Sequence, residues 1–357
     1  MSGFIAVHTG AGNSVDESKY QRVIKEACLR ATDLLLKGGT AMDACEAAIK
    51  RLENCGNTNA GFGSNLCYDG RVQCDASIMN GANLQFGACT DVSNVKNPIQ
   101  LARVICDGQS RLLSMDRLPP MIMAGTGAEQ FAEEMGCDII DPKDLISSKA
   151  KFAYNHYKTK YQKLASEHTI PVTADVPPIT IEARLDTVGA VCVDGNGNTA
   201  AGCSSGGLLL KVPGRVGQAA TFGAGVWAAD TSDISVATCT TGNGEYIMRT
   251  FLAKEICTDL LTADCAVRSL HNTFKHKFLE SPFLPVNQNL YAGALTLVYH
   301  PEDRTGEILW SQTTKSFCIG YMSTEQKTPK FVYSPLPNYC EPGRQTVVNG
   351  QNFHLRL

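Results

Sequence analysis

The chain has 357 residues, enough for one large α/β core, and its 43% hydrophobic and 19% charged residues exclude a disordered chain. With 32 Lys and Arg against 35 Asp and Glu the formal net charge is -3, so no global basic field draws it to nucleic acid or to an anionic membrane. Fifteen cysteines, scattered from Cys28 to Cys340 without the paired spacings of a zinc site, read as reduced, mostly buried thiols of an intracellular protein. The first residues lack a charged region followed by a long apolar run, and no apolar stretch reaches membrane-spanning length. A soluble intracellular chain with no membrane partner is expected.

Phe4 to Val7 is a short apolar run that meets His8-Thr9-Gly10-Ala11-Gly12, a buried strand running into a glycine loop. Residues 18 to 36 carry Val23, Ala27, Ala31, Leu34 and Leu35 at helical spacing, and Gly38-Gly39 ends that helix. Thr40 is placed to cap a second helix through Leu52. Strands are predicted at Val72 to Ile78 and Leu84 to Cys89, and a helix at Pro98 to Cys106. From 147 to 184 the character changes. Lys149, Lys151, Lys158, Lys160 and Lys163, with a stripe of Tyr154, Tyr157, Tyr161 and Leu164, read first as a solvated, partly helical surface piece and second as an arm that contacts substrate or an importin, and Thr169 to Pro178 reads as a linker. Beyond it come strands at Val188 to Val193 and Thr199 to Cys203 around a Gly195-Asn196-Gly197 turn, then helical spacing at Glu245 to Leu261 and Ala263 to Phe278. Strands at Gly293 to Tyr299, Ile308 to Gln312 and Phe317 to Met322 close a layered α/β core.

The chemistry concentrates at Asp186-Thr187, directly after the linker. A threonine hydroxyl is a poor nucleophile without a base. Breaking the Asp186–Thr187 bond gives Thr187 a free α-amine, whose reference pKa of roughly 7.7–8.0 suits a general base. In isolation the pair would more simply be the start of a strand. Its context decides otherwise: Gly202-Cys203-Ser204-Ser205-Gly206-Gly207, Pro213-Gly214-Arg215-Val216-Gly217-Gln218 and Thr240-Thr241-Gly242-Asn243-Gly244-Glu245, with Asn59-Ala60-Gly61-Phe62-Gly63-Ser64 and Cys74-Asp75-Ala76-Ser77 earlier in the chain.

These motifs together resemble the type 2 asparaginase family of N-terminal-nucleophile hydrolases, from Val7-His8 to Gly320-Tyr321-Met322. The resemblance implies a four-layer αββα sandwich of α+β type, one domain over 1–357 built from an α fragment, 1–186, and a β fragment, 187–357. It implies Thr187 as nucleophile, Ser205 as a hydroxyl touching it, and Thr241 with the amide of Gly242 as oxyanion donors. Arg215 matches the clamp for a substrate carboxylate, and Asn59 and Gly244 match pocket positions. The loop from Glu53 to Asn59 corresponds to one that holds a monovalent cation in asparaginases, while the chemistry itself requires no metal or organic cofactor.

Asparaginases hold the substrate α-ammonium group with an aspartate three residues after the arginine, and that position here is Gln218. A neutral amide fits a nitrogen already in a peptide bond, where a buried carboxylate would lose its cation. With Ser204-Ser205-Gly206-Gly207 and the long segment before Thr187, this is similar to the threonine aspartase (taspase) branch. That resemblance implies an endopeptidase cleaving after an internal aspartate, often in Asp-Gly, in nuclear transcription and chromatin regulators. It also implies a homodimer of fragment pairs in nucleus and cytoplasm. The rival of the same fold is an L-asparaginase or isoaspartyl peptidase. From other classes, a nucleotide-binding module rests only on Gly10-Ala11-Gly12 and lacks a third glycine. A non-catalytic scaffold is opposed by the full set of Thr187, Ser205, Arg215 and Thr241.

Overall fold

The structure is a computed structural model that describes residues 2–12, 18–167 and 186–356; the linker expected at Thr169 to Pro178 lies outside these residues. Strand β1 (Phe4–Gly12) is buried along its whole length and does not give way to a loop at His8. A register shift between His8 and Ala11 lets it continue, with Gly10 at φ 108, a conformation glycine adopts without strain. Helix α1 (Ser18–Leu36) buries Val23, Ala27, Ala31 and Leu35, the stripe the spacing predicts. Helix α2 (Ala41–Glu53) starts in a capping box, Asp43 N donating to Thr40 Oγ1 and Thr40 N to Asp43 Oδ2. There follow β2 (Cys74–Asn80), β3 (Phe86–Val92), α3 (Pro98–Gly108), β4 (Ile122–Ala124), α4 (Gly125–Glu134) and α5 (Ser148–Glu167). The surface piece from 147 is thus helical through α5, docked by Tyr154 and Lys158, which both donate to the Tyr68 carbonyl.

After Thr187 come β5 (Val188–Val193), β6 (Thr199–Ser205), β7 (Val226–Asp230), β8 (Ser235–Gly242), α6 (Gly244–Thr250), α7 (Leu252–Leu260) and α8 (Ala266–Asn272), which runs into a π-helical stretch (Thr273–Leu279). The single helix expected from Glu245 to Leu261 is broken at Phe251, which sits at φ 47 and ends α6 in the left-handed conformation. Strands β9 (Ala292–His300), β10 (Thr305–Gln312), β11 (Ser316–Ser323), β12 (Lys330–Pro335) and β13 (Val347–His354) complete the chain.

Eight strands form one sheet in the order β12-β11-β1-β5-β6-β2-β3-β4, and five form a second, β13-β10-β9-β8-β7. One apolar core lies between α1–α3 and the larger sheet (Ile24, Ala48, Ile99, Val188). A second lies between the sheets (Phe4, Val191, Leu295, Phe317), and a third between the smaller sheet and α6–α8 (Ile256, Leu270, Phe274, Leu309). Three cores separate four layers, and the chain is an αββα sandwich. The larger sheet takes strands from both sides of the Asp186–Thr187 bond, with β1 pairing β5 and β11, and β2 pairing β6. A cut at that bond therefore leaves the fragments joined along whole strands.

Glu53 closes α2 as a wholly buried carboxyl that accepts from Ile99 N and Asn97 Nδ2, both at 3.0 Å, and so caps the start of α3. Burial pushes it up from 4.5 to about 7, against the lowering effect of its hydrogen-bond donors. A folded carboxyl that keeps its proton after the unfolded chain has released it loses stability as pH rises from 4.5 to 7, by about 3 kcal/mol in all. The melting temperature of the native protein is expected to fall across that window. Glu53→Gln should flatten the slope; a thermal-denaturation series in which both proteins share one slope would contradict the assignment.

Candidate active site

Thr187 precedes β5 and is 4% exposed, so the strand fixes its backbone while neighbouring segments enclose its side chain. Because β5 and β6 pair antiparallel with Val188 opposite Ser204, the next residues along, Thr187 and Ser205, come face to face. The Thr187 hydroxyl donates to Ser205 Oγ at 3.3 Å, and Ser205 Oγ also accepts from Gly207 N at 3.0 Å. Gln218 Nε2 donates to Thr187 Oγ1 at 3.0 Å from a side chain that is itself buried. The nucleophile candidate is thus held between an acceptor and a donor, and the donor stabilises an oxygen that gains negative charge.

His8 packs beside this pair. Its Nδ1 accepts from Gly10 N, so the neutral ring carries its proton on Nε2, which faces the Thr187 and Gly189 main chain. Burial lowers its pKa to about 3, with the Thr187 backbone opposing the shift. At neutral pH His8 is an uncharged wall and a weak base. Gly189 leaves room for it, because a Cβ there would lie 2.4 Å from His8 Nε2 and 2.7 Å from Cys239 Sγ.

The second sheet brings up Thr241 and Gly242 at the end of β8. Thr241 is fully buried, and its sheet partner Gly293 abuts Ala11 of β1. Gly242 stands at φ 141, where a side chain would meet Tyr291 O at 2.3 Å, so the chain needs glycine for this turn into α6. Arg215 is largely buried and binds Glu245 bidentately through one edge of its guanidinium, Nε to Oε1 and Nη2 to Oε2 at 2.8 Å each. Gly207, Gly217 and Gly244 surround the guanidinium; Cβ atoms there would lie 3.2 and 2.9 Å from Nη1 and 2.6 Å from Nη2. The position at Gly244 is also 2.7 Å from Gln218 Oε1, which connects the arginine to the residue touching Thr187.

The asparaginase family profile matches residues 1–331. The chain belongs to the asparaginase family. It is 36% identical to an isoaspartyl peptidase/L-asparaginase of Xenopus laevis across 72% of this chain and 75% of that protein. The Homo sapiens protein of the same name is 35% identical over 71% and 75%, and an isoaspartyl peptidase of Salmonella typhimurium 34% over 71% and 77%. With its layered sandwich, this asparaginase-family chain is a hydrolase of the N-terminal-nucleophile type.

Within that frame Asn59 is fully engaged: its Nδ2 donates to Gly207 O at 2.8 Å, its Oδ1 accepts from Asn65 N, and its carbonyl accepts from Gly206 N. It braces the 205–207 turn that carries Ser205. In the loop that corresponds to the family's cation loop, Lys149 of α5 donates to Asn57 O and Ser147 Oγ to Gly56 O. The positive charge at the Asn57 carbonyl comes from the chain's own lysine.

Three residues join the site that the motif reading left without roles. Asp75 is fully buried and accepts from Thr90 Oγ1, Asp91 N and Gly217 N, fixing the turn between Arg215 and Gln218. Lys211 is 4% exposed, with Nζ 3.1 Å from the Cβ position at Gly207. Glu245 holds Arg215. The available signal was a charged residue inside or beside each glycine motif, since a buried charge requires a partner. Burial meanwhile pushes the Cys203 and Cys257 thiols up to about 12, which leaves them protonated and inert.

Proposed function

We propose that this asparaginase-family chain is an autoprocessing threonine endopeptidase that cleaves proteins after aspartate through an acyl-enzyme on Thr187. One observation carries the reading: a neutral amide, Gln218, stands against Thr187 Oγ1 where an asparaginase requires a carboxylate for the substrate ammonium group. The carboxylates bordering the clamp are engaged, Asp75 by three donors and Glu245 by Arg215. Arg215 Nη1 and Lys211 Nζ converge beside Gly207, two cations suited to an acidic side chain. An internal aspartate offers that carboxylate and a neutral peptide nitrogen.

In maturation the Thr187 hydroxyl attacks the Asp186 carbonyl and the acyl group moves from nitrogen to oxygen, which frees the Thr187 amine; water then hydrolyses the ester, releasing the Asp186 carboxylate and restoring the hydroxyl. In turnover that amine takes the hydroxyl proton as Oγ1 attacks the carbonyl of the substrate aspartate and returns it to the leaving nitrogen; water then hydrolyses the acyl-enzyme, releasing the new carboxylate and restoring the hydroxyl. Thr241 and the Gly242 amide are assigned to the oxyanion. A homodimer of fragment pairs acting on nuclear regulators belongs to the same proposal.

The second reading, an isoaspartyl peptidase or L-asparaginase, is favoured by the names of the relatives at 34–36% identity. The two separate in one assay on matured enzyme. Cleavage of peptides with an internal Asp-Gly, without ammonia release from asparagine, is expected. Ammonia release or β-aspartyl dipeptide hydrolysis with internal Asp-Gly peptides left whole would replace the endopeptidase by the second reading.

A further inference from the structure

A groove of 470 Å³ opens on the face of the sandwich formed by α8, its π-helical continuation and the turn from Tyr339 to Thr346. This volume suits a small-molecule ligand. The turn lies beyond residue 331, where the family match ends.

Its polar lining includes three basic side chains, His271, Lys275 and Arg344. His271 and Lys275 stand one helical turn apart and point into the groove with Leu279. Among the described residues neither His271 nor Lys275 has an ion-pair partner. Arg344 faces them from the turn, oriented by Nε donating to Asn289 Oδ1 at 3.1 Å and Nη1 to Val286 O at 3.0 Å. Its Nη2 is left without a partner among the described residues. The lining carboxylate, Glu280, shares a hydrogen bond with His276 Nδ1 at 2.7 Å. The turn itself is held rigid, Gly343 N donating to Thr313 O at 2.7 Å and Leu290 N to Gly343 O at 2.9 Å. A guanidinium fixed at two of its nitrogens, opposite an ammonium and an imidazole, makes a fork for oxyanions, because less ordering is needed on binding.

We propose that this groove binds a small polyanion bearing phosphate or several carboxylates. The bound anion bridges Lys275 and Arg344, with His271 as a third donor and Leu279 as the apolar floor. The groove also touches the catalytic end of the fold: Leu290 leads into Tyr291, which exchanges hydrogen bonds with Asn243, the residue after Gly242. This proposal is independent of which substrate Thr187 attacks.

The test is isothermal titration of the full chain with inorganic phosphate and, separately, with citrate. One site per chain is expected for the preferred ligand, and the tighter of the two identifies phosphate or polycarboxylate chemistry. Lys275→Gln and Arg344→Gln should each weaken binding at least about tenfold, as expected for removal of one charge-assisted hydrogen bond. Lys330→Gln, an exposed cation elsewhere, should leave it unchanged. Unchanged melting temperatures in the variants will show that the fold persists. Failure of both anions to bind the native protein at millimolar concentration would overturn the proposal, as would equal binding by all three variants.

Discussion

Thr187→Ala is expected to run as one uncut chain and to lose turnover by roughly 10⁴-fold or more, the scale seen when a nucleophile is removed from a catalytic unit. Intact mass spectrometry and a peptide-cleavage assay read the two effects separately. The physical reason is that, among the described residues, the site offers no substitute nucleophile or base. Ser205 is fixed as acceptor to both Thr187 and Gly207 N, His8 is a weak base with its pKa driven down to about 3, and the nearby thiol of Cys203 is held protonated. A base with a pKa near neutrality arises only when the Asp186–Thr187 bond breaks and frees the Thr187 amine. Thr187→Ser retains the hydroxyl and should still split, more slowly, because the missing methyl releases a rotamer that the β-branch restricts. An alanine variant that still yields two fragments with the second beginning at residue 188 or 187 would remove Thr187 from the mechanism.

The parts of the fold that could be read from the sequence were those whose burial has a period. The α1 stripe of Val23, Ala27, Ala31 and Leu35 is one-sided, and Thr40 with Asp43 announces the start of α2. Strand β8, Ser235-Val236-Ala237-Thr238-Cys239-Thr240-Thr241-Gly242, could not be read that way. It is buried on both faces between two layers, so small and polar residues occupy core positions and no alternation appears. The edge strand β13 fails for the opposite reason, being largely exposed and polar. The break at Phe251 carries no glycine or proline, so a continuous helical pattern hid the end of α6. At the site the motifs named Thr187, Ser205, Arg215 and Gln218 individually. Their convergence depends on β5–β6 register and on the Gly217 turn tied to Asp75, contacts between residues far apart in sequence that no local pattern encodes.

Arg215→Ala is expected to mature normally yet cut external substrates about 10³-fold more slowly in kcat/KM, the scale of removing one partner of a desolvated charge pair. Maturation is spared because Arg215 makes no hydrogen bond to Thr187, whereas an incoming carboxylate needs a cation in the pocket. Glu245 decides how that cation is presented. Although burial raises its pKa, the hydrogen bond and charge of Arg215 hold Glu245 below the usual carboxylate range, so the pair remains ionic at neutral pH. Glu245 takes the Nε and Nη2 edge, and Gly207, Gly217 and Gly244 admit no side chain around the rest, so Nη1 is the position the proposal gives to substrate. Two roles for Glu245 then predict opposite signs. As a brace, Glu245→Gln leaves Arg215 free to rotate and raises KM about tenfold with kcat nearly unchanged. As a competitor for the fork, the same change lowers KM. The glycine ring favours the brace, because a guanidinium already enclosed on three sides gains accuracy, not access, from its partner, and a lowered KM in Glu245→Gln would show that the carboxylate instead blocks the clamp.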